Sequence, residues 1–126
     1  MYFRRSPELD ESLRAAVAMA LRVRRLSESG ELPVATLRRT WPVRFHWRRP
    51  GGAYELSRSR PDVLPLLRLC ALLSHSYVLA PVAEGLYFTS ELEKDRGLFF
   101  VEWATVGQMV EAICDHAPLS GVIHAA

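Results

Sequence analysis

Lysine is almost missing from this chain of 126 residues: fifteen of its sixteen cationic side chains are arginine. Arginine offers a planar fork of donors that matches carboxylates and phosphates better than an ammonium does. The excess runs through the chain, so coding bias is a sufficient account of it, and only the placement of the arginines can argue for a site. Cysteine is scarce too. Cys70 and Cys114 stand alone in the apolar stretches LRLCALL and EAICDHA. Two cysteines exclude a disulfide framework, and both read as reduced core residues, since a free cysteine behaves as a small hydrophobe. Structural zinc sites need tight ligand pairs such as Cys-x-x-Cys. Cys70, His75, Cys114 and His116 provide none, so no metal is expected.

Long hydrophobic runs are lacking as well. None approaches the roughly 18–20 residues needed to span a bilayer. The opening Met-Tyr-Phe-Arg-Arg-Ser-Pro has no apolar stretch or cleavage site of the secretory kind. The expectation is a soluble, cytoplasmic protein with no membrane role. There is no Gly-x-Ser-x-Gly, no phosphate-cradling glycine loop, no His-Glu-x-x-His, no internal repeat and no low-complexity segment. A nucleophile needs a base within hydrogen-bond reach. Cys114 and His116, two apart on a helix, point in different directions, and Cys70 and His75 are poorly aligned. A small hydrolase or transferase would have to use His75 or His116 with Asp115. With no motif behind that set, the expectation is a protein that is not an enzyme, with no catalytic residue and no cofactor.

What is present describes one globular domain. Hydrophobic residues make up 49% and charged residues 24%, which is ordinary globular composition, and the length suffices for a single core. One domain over 1–126 is expected, with 119–126 frayed or adding a short strand. Net charge is +2, but it is unevenly spread. Residues 1–60 hold thirteen Arg and six acids, hence +7; residues 61–126 hold two Arg, one Lys and eight acids, hence −5. Such asymmetry points to an acidic partner for the first half, or to the two halves facing each other, including across a homodimer.

Ser6-Pro7-Glu8 caps and starts a helix over 7–26, with Leu9, Leu13, Val17 and Leu21 on one face. A short helix fits 33–40. Val43, Phe45 and Trp47 alternate with Arg44, His46 and Arg48, the pattern of a half-buried strand. Arg-Pro-Gly-Gly then supplies a type II turn. The predicted hairpin joins 42–48 to 53–58, with its rings inward and its cations outward, and Glu55 able to pair across the strands. Asp62 caps a buried helix over 63–75, with Pro65 in its first turn. Strands follow at 77–81, 86–90 and 98–103. Thr105-Val106-Gly107-Gln108 matches a capping box before a helix at 106–116. Trp41 and Trp103 read as core. The fold class is α+β: an antiparallel or mixed sheet of four to five strands with three main helices, in the order α, short α, β, β, α, β, β, α.

The stretch TWPVRFHWRRPGGAYELSRSR holds five arginines and a histidine among four rings. Together with the first helix it predicts a basic face made by Arg14, Arg22, Arg25, Arg44, His46, Arg48 and Arg49, with Arg38 and Arg39 next. Arg, Trp and Tyr are the residues enriched at binding hot spots. The functional expectation is a small interaction or regulatory protein, of inhibitor, immunity or adaptor type, docking an acidic protein surface. Nucleic acid is the alternative target. Three observations weigh against it: the rings fall on the side opposite the cations, one helix fits where a helix-turn-helix needs two, and the pI of 8.8 lies below the roughly 9 typical of such domains.

Overall fold

A computed structural model describes residues 6–116 of the chain. The element order is α1 (Pro7–Glu28), α2 (Val34–Arg38), β1 (Thr40–Trp47), β2 (Arg60–Pro65), α3 (Leu66–Ser74), β3 (Ser76–Pro81), β4 (Gly85–Ser90), β5 (Gly97–Glu102) and α4 (Trp103–His116). The five strands form one antiparallel sheet in the order β2-β1-β5-β4-β3. The fold is the α+β class expected. The tail at 119–126 lies outside the described residues.

Ser6 caps α1 by accepting a hydrogen bond from the Leu9 amide, and Pro7 occupies the first turn. The helix ends where Gly30 takes a positive φ of 74°. Its buried line is Ala16, Met19, Ala20, Val23 and Leu26. Small residues at 16 and 20 let α1 lie close against α3, whose Leu66, Leu69, Cys70, Leu72 and Leu73 are buried. These residues join Trp41, Val43, Phe45, Phe88, Phe99 and Val101 of the sheet, and Val106, Met109 and Ile113 of α4, in a single core. All the helices that build this core therefore cover one face of the sheet.

The hairpin is correct at its turn and wrong in its returning arm. The Gly52 amide donates to the Arg49 carbonyl at 3.1 Å, and Gly51 has φ of 99°, as a type II turn at Pro50-Gly51 requires. Pairing of the two arms then consists of the Arg49 amide on the Ala53 carbonyl, Arg48 opposite Tyr54, and the Glu55 amide on the Trp47 carbonyl. Residues 56–59 swing out, and the regular partner of β1 is β2, with Phe45 opposite Arg60 and Thr40 opposite Pro65. Strand pairing over 60–65 thus takes residues 63–65 from the helix expected at 63–75. Asp62 is a strand residue whose carboxylate accepts from the Val63 amide, and α3 starts only after Pro65. Its outer side, with Leu67 and Ala71, is exposed, so α3 is central without being apolar all round. At the other end α4 begins at Trp103, directly after β5, which places Thr105 inside the helix rather than at a cap. Trp103 is fixed by its own groups: its amide donates to the Glu84 carbonyl and its indole N–H to the Val82 carbonyl.

Four burial expectations change. Leu21, expected on the apolar face of α1, is exposed, because the buried line of the helix runs through Ala16, Met19, Ala20, Val23 and Leu26. Trp47, the last residue of β1, is 38% exposed, although its strand-mates Val43 and Phe45 are core. His46 is buried, at 5% exposure, on the opposite face. Cys114 is half-buried while Cys70 is buried, and both thiols are free. Burial pushes the Cys70 thiol up to about 12, leaving it protonated and inert at neutral pH. Trp41 is core, as expected.

Candidate functional site

The nine residues expected to form one basic face fall into separate groups, because the sheet lies between them. Arg44 and His46 alternate with Val43 and Phe45, and the latter pair packs beneath the helices. Arg44 and His46 therefore stand on the sheet face turned away from α1, and the predicted continuity of helix and hairpin arginines is corrected. The alternation of β1 was read properly; what it implies for α1 depends on which face the helix covers.

The loop arginines are used internally. Arg48 pairs with Asp95 and donates from Nε to the Gly52 carbonyl at 3.2 Å. Arg49 pairs with Glu55. Arg44 donates to the Ser59 hydroxyl and to its carbonyl. The His46 Nδ1–H donates to the Glu55 carbonyl at 3.0 Å, and its ring meets Tyr87 edge-on. The Tyr54 hydroxyl donates to the Lys94 carbonyl. Together these bonds hold the 48–59 segment over the end of the helix-free sheet face where Leu98, opposite His46, is buried apart from the main core. Arg39 lies over the Trp41 ring at 4.1 Å. Arg38 closes the last turn of α2.

Glu55 anchors this segment. Its carboxylate accepts from the Ser57 hydroxyl and from Arg49, and these bonds hold it below the ordinary 4.5. A folded-state value below the unfolded one gives stability that is complete above 4.5 and is lost as pH falls through the folded value. The thermal midpoint of Glu55→Gln is expected to lie below wild type at neutral pH, with the gap closing on acidification. A gap constant with pH, read by circular dichroism, would show that the carboxylate is not the anchor.

The helix arginines are placed differently. Arg14, Arg22 and Arg25 have no ion-pair partner among the described residues. They follow one stripe of α1, with Ala18 between them. Beside them a groove of about 350 Å³ runs between α1 and α4, with Ala15, Ala18, Met19, Val110 and Ile113 along it and Arg22 and Arg25 at its side. Arg22 Nε is buried and has no hydrogen-bond partner among the described residues. A buried donor left unmatched costs about 1–3 kcal/mol, more when charged. A water, an ion or a partner group at the groove would supply the acceptor. Sequence reasoning picked these three arginines but missed the groove, because its other wall comes from Val110 and Ile113, far along the chain.

His75 is exposed at the end of α3 and lines a separate cavity with Arg68, Ala71, Leu72, Ser90, Glu91, Leu92 and Glu93. Asp115 of α4 is not among these residues. Arg68 bridges to Glu93 at 2.7 Å. Nothing is described for the His116 side chain. Among the described residues no cluster of three or more His, Cys, Asp or Glu could hold a metal ion, and no helix is long and apolar enough to cross a membrane.

Comparison of the chain with family models, with curated proteins and with solved structures returned no match.

Proposed function

We propose that the protein is a non-enzymatic interaction protein, and that its α1–α4 groove takes an acidic amphipathic segment of another protein. The observation that carries this reading is the buried, unmatched Arg22 Nε beside an apolar groove. A carboxylate arriving there satisfies a charged donor already held in place, while apolar side chains of the same segment fill the space over Met19, Val110 and Ile113. Arg14 lies eight residues before Arg22, about 12 Å along the helix axis, and extends the cationic side beyond the groove. The apolar floor favours a protein segment over a phosphate backbone, whose recognition needs cations along a polar track.

The test is affinity capture from a lysate of the source organism with three baits: wild type, Arg22→Glu/Arg25→Glu, and Arg44→Glu/Arg48→Glu. The expected result is a partner kept by the third bait and lost by the second, with affinity at least about tenfold weaker when measured on the purified pair. A partner held equally by all three would overturn the groove as the contact site. Binding of a DNA or RNA duplex that weakens steeply with salt, and that is lost on Arg22→Glu/Arg25→Glu, would replace the protein partner by a nucleic acid.

A further inference from the structure

Among the described residues the 48–59 segment covers the helix-free face of the sheet at its His46–Leu98 end. Beyond the 48–59 segment the face exposes an apolar floor: Val63, 54% exposed, lies on the same face as Pro42, Pro61, Phe100 and Tyr87. The Phe100 and Tyr87 rings touch, with centroids 4.8 Å apart. A groove of about 570 Å³ runs across this floor. Three charged residues line it: Asp62 of β2, Arg44 and Glu102. Arg44 faces Phe100 across the β1–β5 pair, and Glu102 lies two residues further along β5, opposite Gly85. The two are therefore diagonal neighbours about 7–8 Å apart. They do not pair: Arg44 is turned to Ser59, and Glu102 has no ion pair among the described residues.

We propose that this face is the interface of a two-fold homodimer, in which Arg44 of each copy meets Glu102 of the other across the Val63–Phe100–Tyr87 floor. A two-fold contact brings residue i against j and j against i, so a patch with a cation and an anion beside an apolar centre is complementary to itself. An acidic partner of the kind suited to α1 does not match a groove lined by one cation and two carboxylates. The β2 edge of the sheet is a poor alternative route, since Pro61 and Pro65 remove donors from it. The contact also uses the charge asymmetry of the sequence, as Arg44 belongs to the positive half and Glu102 to the negative half. It is independent of the α1–α4 groove, which lies on the other side of the sheet.

Sedimentation velocity on the full chain tests it. Wild type is expected to dimerise, and Arg44→Glu and Glu102→Arg are each expected to weaken the dimer at least about tenfold. The two variants mixed in equal amounts should form a heterodimer, because at positions 44 and 102 one now presents two anions and the other two cations. The double variant Arg44→Glu/Glu102→Arg should dimerise again. Both positions are exposed, but Arg44→Glu also gives up the bonds to Ser59, so circular dichroism checks that each variant keeps the fold. A wild type that stays monomeric to millimolar concentration overturns the proposal. So does a dimer indifferent to both single changes, and so does a mixture that fails to associate.

Discussion

Replacing Phe88 by alanine is expected to destabilise the protein by about 3–5 kcal/mol. Phe88 is fully buried in β4 and stacks on Phe99 of β5 at 5.8 Å between centroids. It sits where the sheet meets α3 in the common core. Removal of the ring takes away its transfer energy and leaves a cavity, because side chains fixed on two strands and a helix cannot all move in to fill it. A domain of this size is stable by about 5–15 kcal/mol, so the variant has little reserve. In urea the midpoint should fall by on the order of 2 M, given slopes of about 1–3 kcal/mol per molar. A midpoint within a few tenths of a molar of wild type would mean that the sheet and the helix layer are not packed through this ring.

The second large effect comes from a single methyl group placed at two glycines. At Gly85 a Cβ would lie 2.2 Å from the Val101 carbonyl oxygen and 2.7 Å from the Phe100 ring. The first of these is backbone of the neighbouring strand and cannot step aside without moving β5. Gly85→Ala is expected to cost about 1–3 kcal/mol or more, as overpacking does, and to displace Phe100 on the proposed dimer face. At Gly107, inside α4, a Cβ meets nothing within 4 Å. Gly107→Ala should stabilise by about 0.5–1 kcal/mol, since alanine restricts the unfolded chain and suits the helix. Opposite signs for one substitution, read in the same urea titration, separate close strand packing from helix propensity. Equal effects would contradict the placement of one of these glycines.

The charge chemistry of the chain divides by geometry. Of the arginines chosen from the sequence, Arg48 and Arg49 fasten the 48–59 segment to the sheet, and Arg39 covers a tryptophan. The α1 arginines remain available beside a groove with an unmatched donor. An arginine-rich ribbon can thus owe much of its charge to holding its own loop down. The helix arginines carry the stronger case for a partner.

Local signals determined a good deal by themselves. Ser6-Pro7 set the start of α1, Pro50-Gly51 set the turn, and the alternation of Val43 and Phe45 with Arg44 and His46 set the two faces of β1. Each depends on neighbours in sequence, through capping, a positive φ or a period of two. Three things were decided only when the chain closed on itself. The returning arm of the hairpin moved to 60–65, because β1 pairs there and residues 56–59 swing out, a competition that propensity does not see. His46 became buried because the Glu55 carbonyl closes over it. And the arginines of α1 and β1 parted because every core-building helix settled on one side of the sheet. Periodicity states that a strand has two faces; which one a distant helix covers is a property of packing.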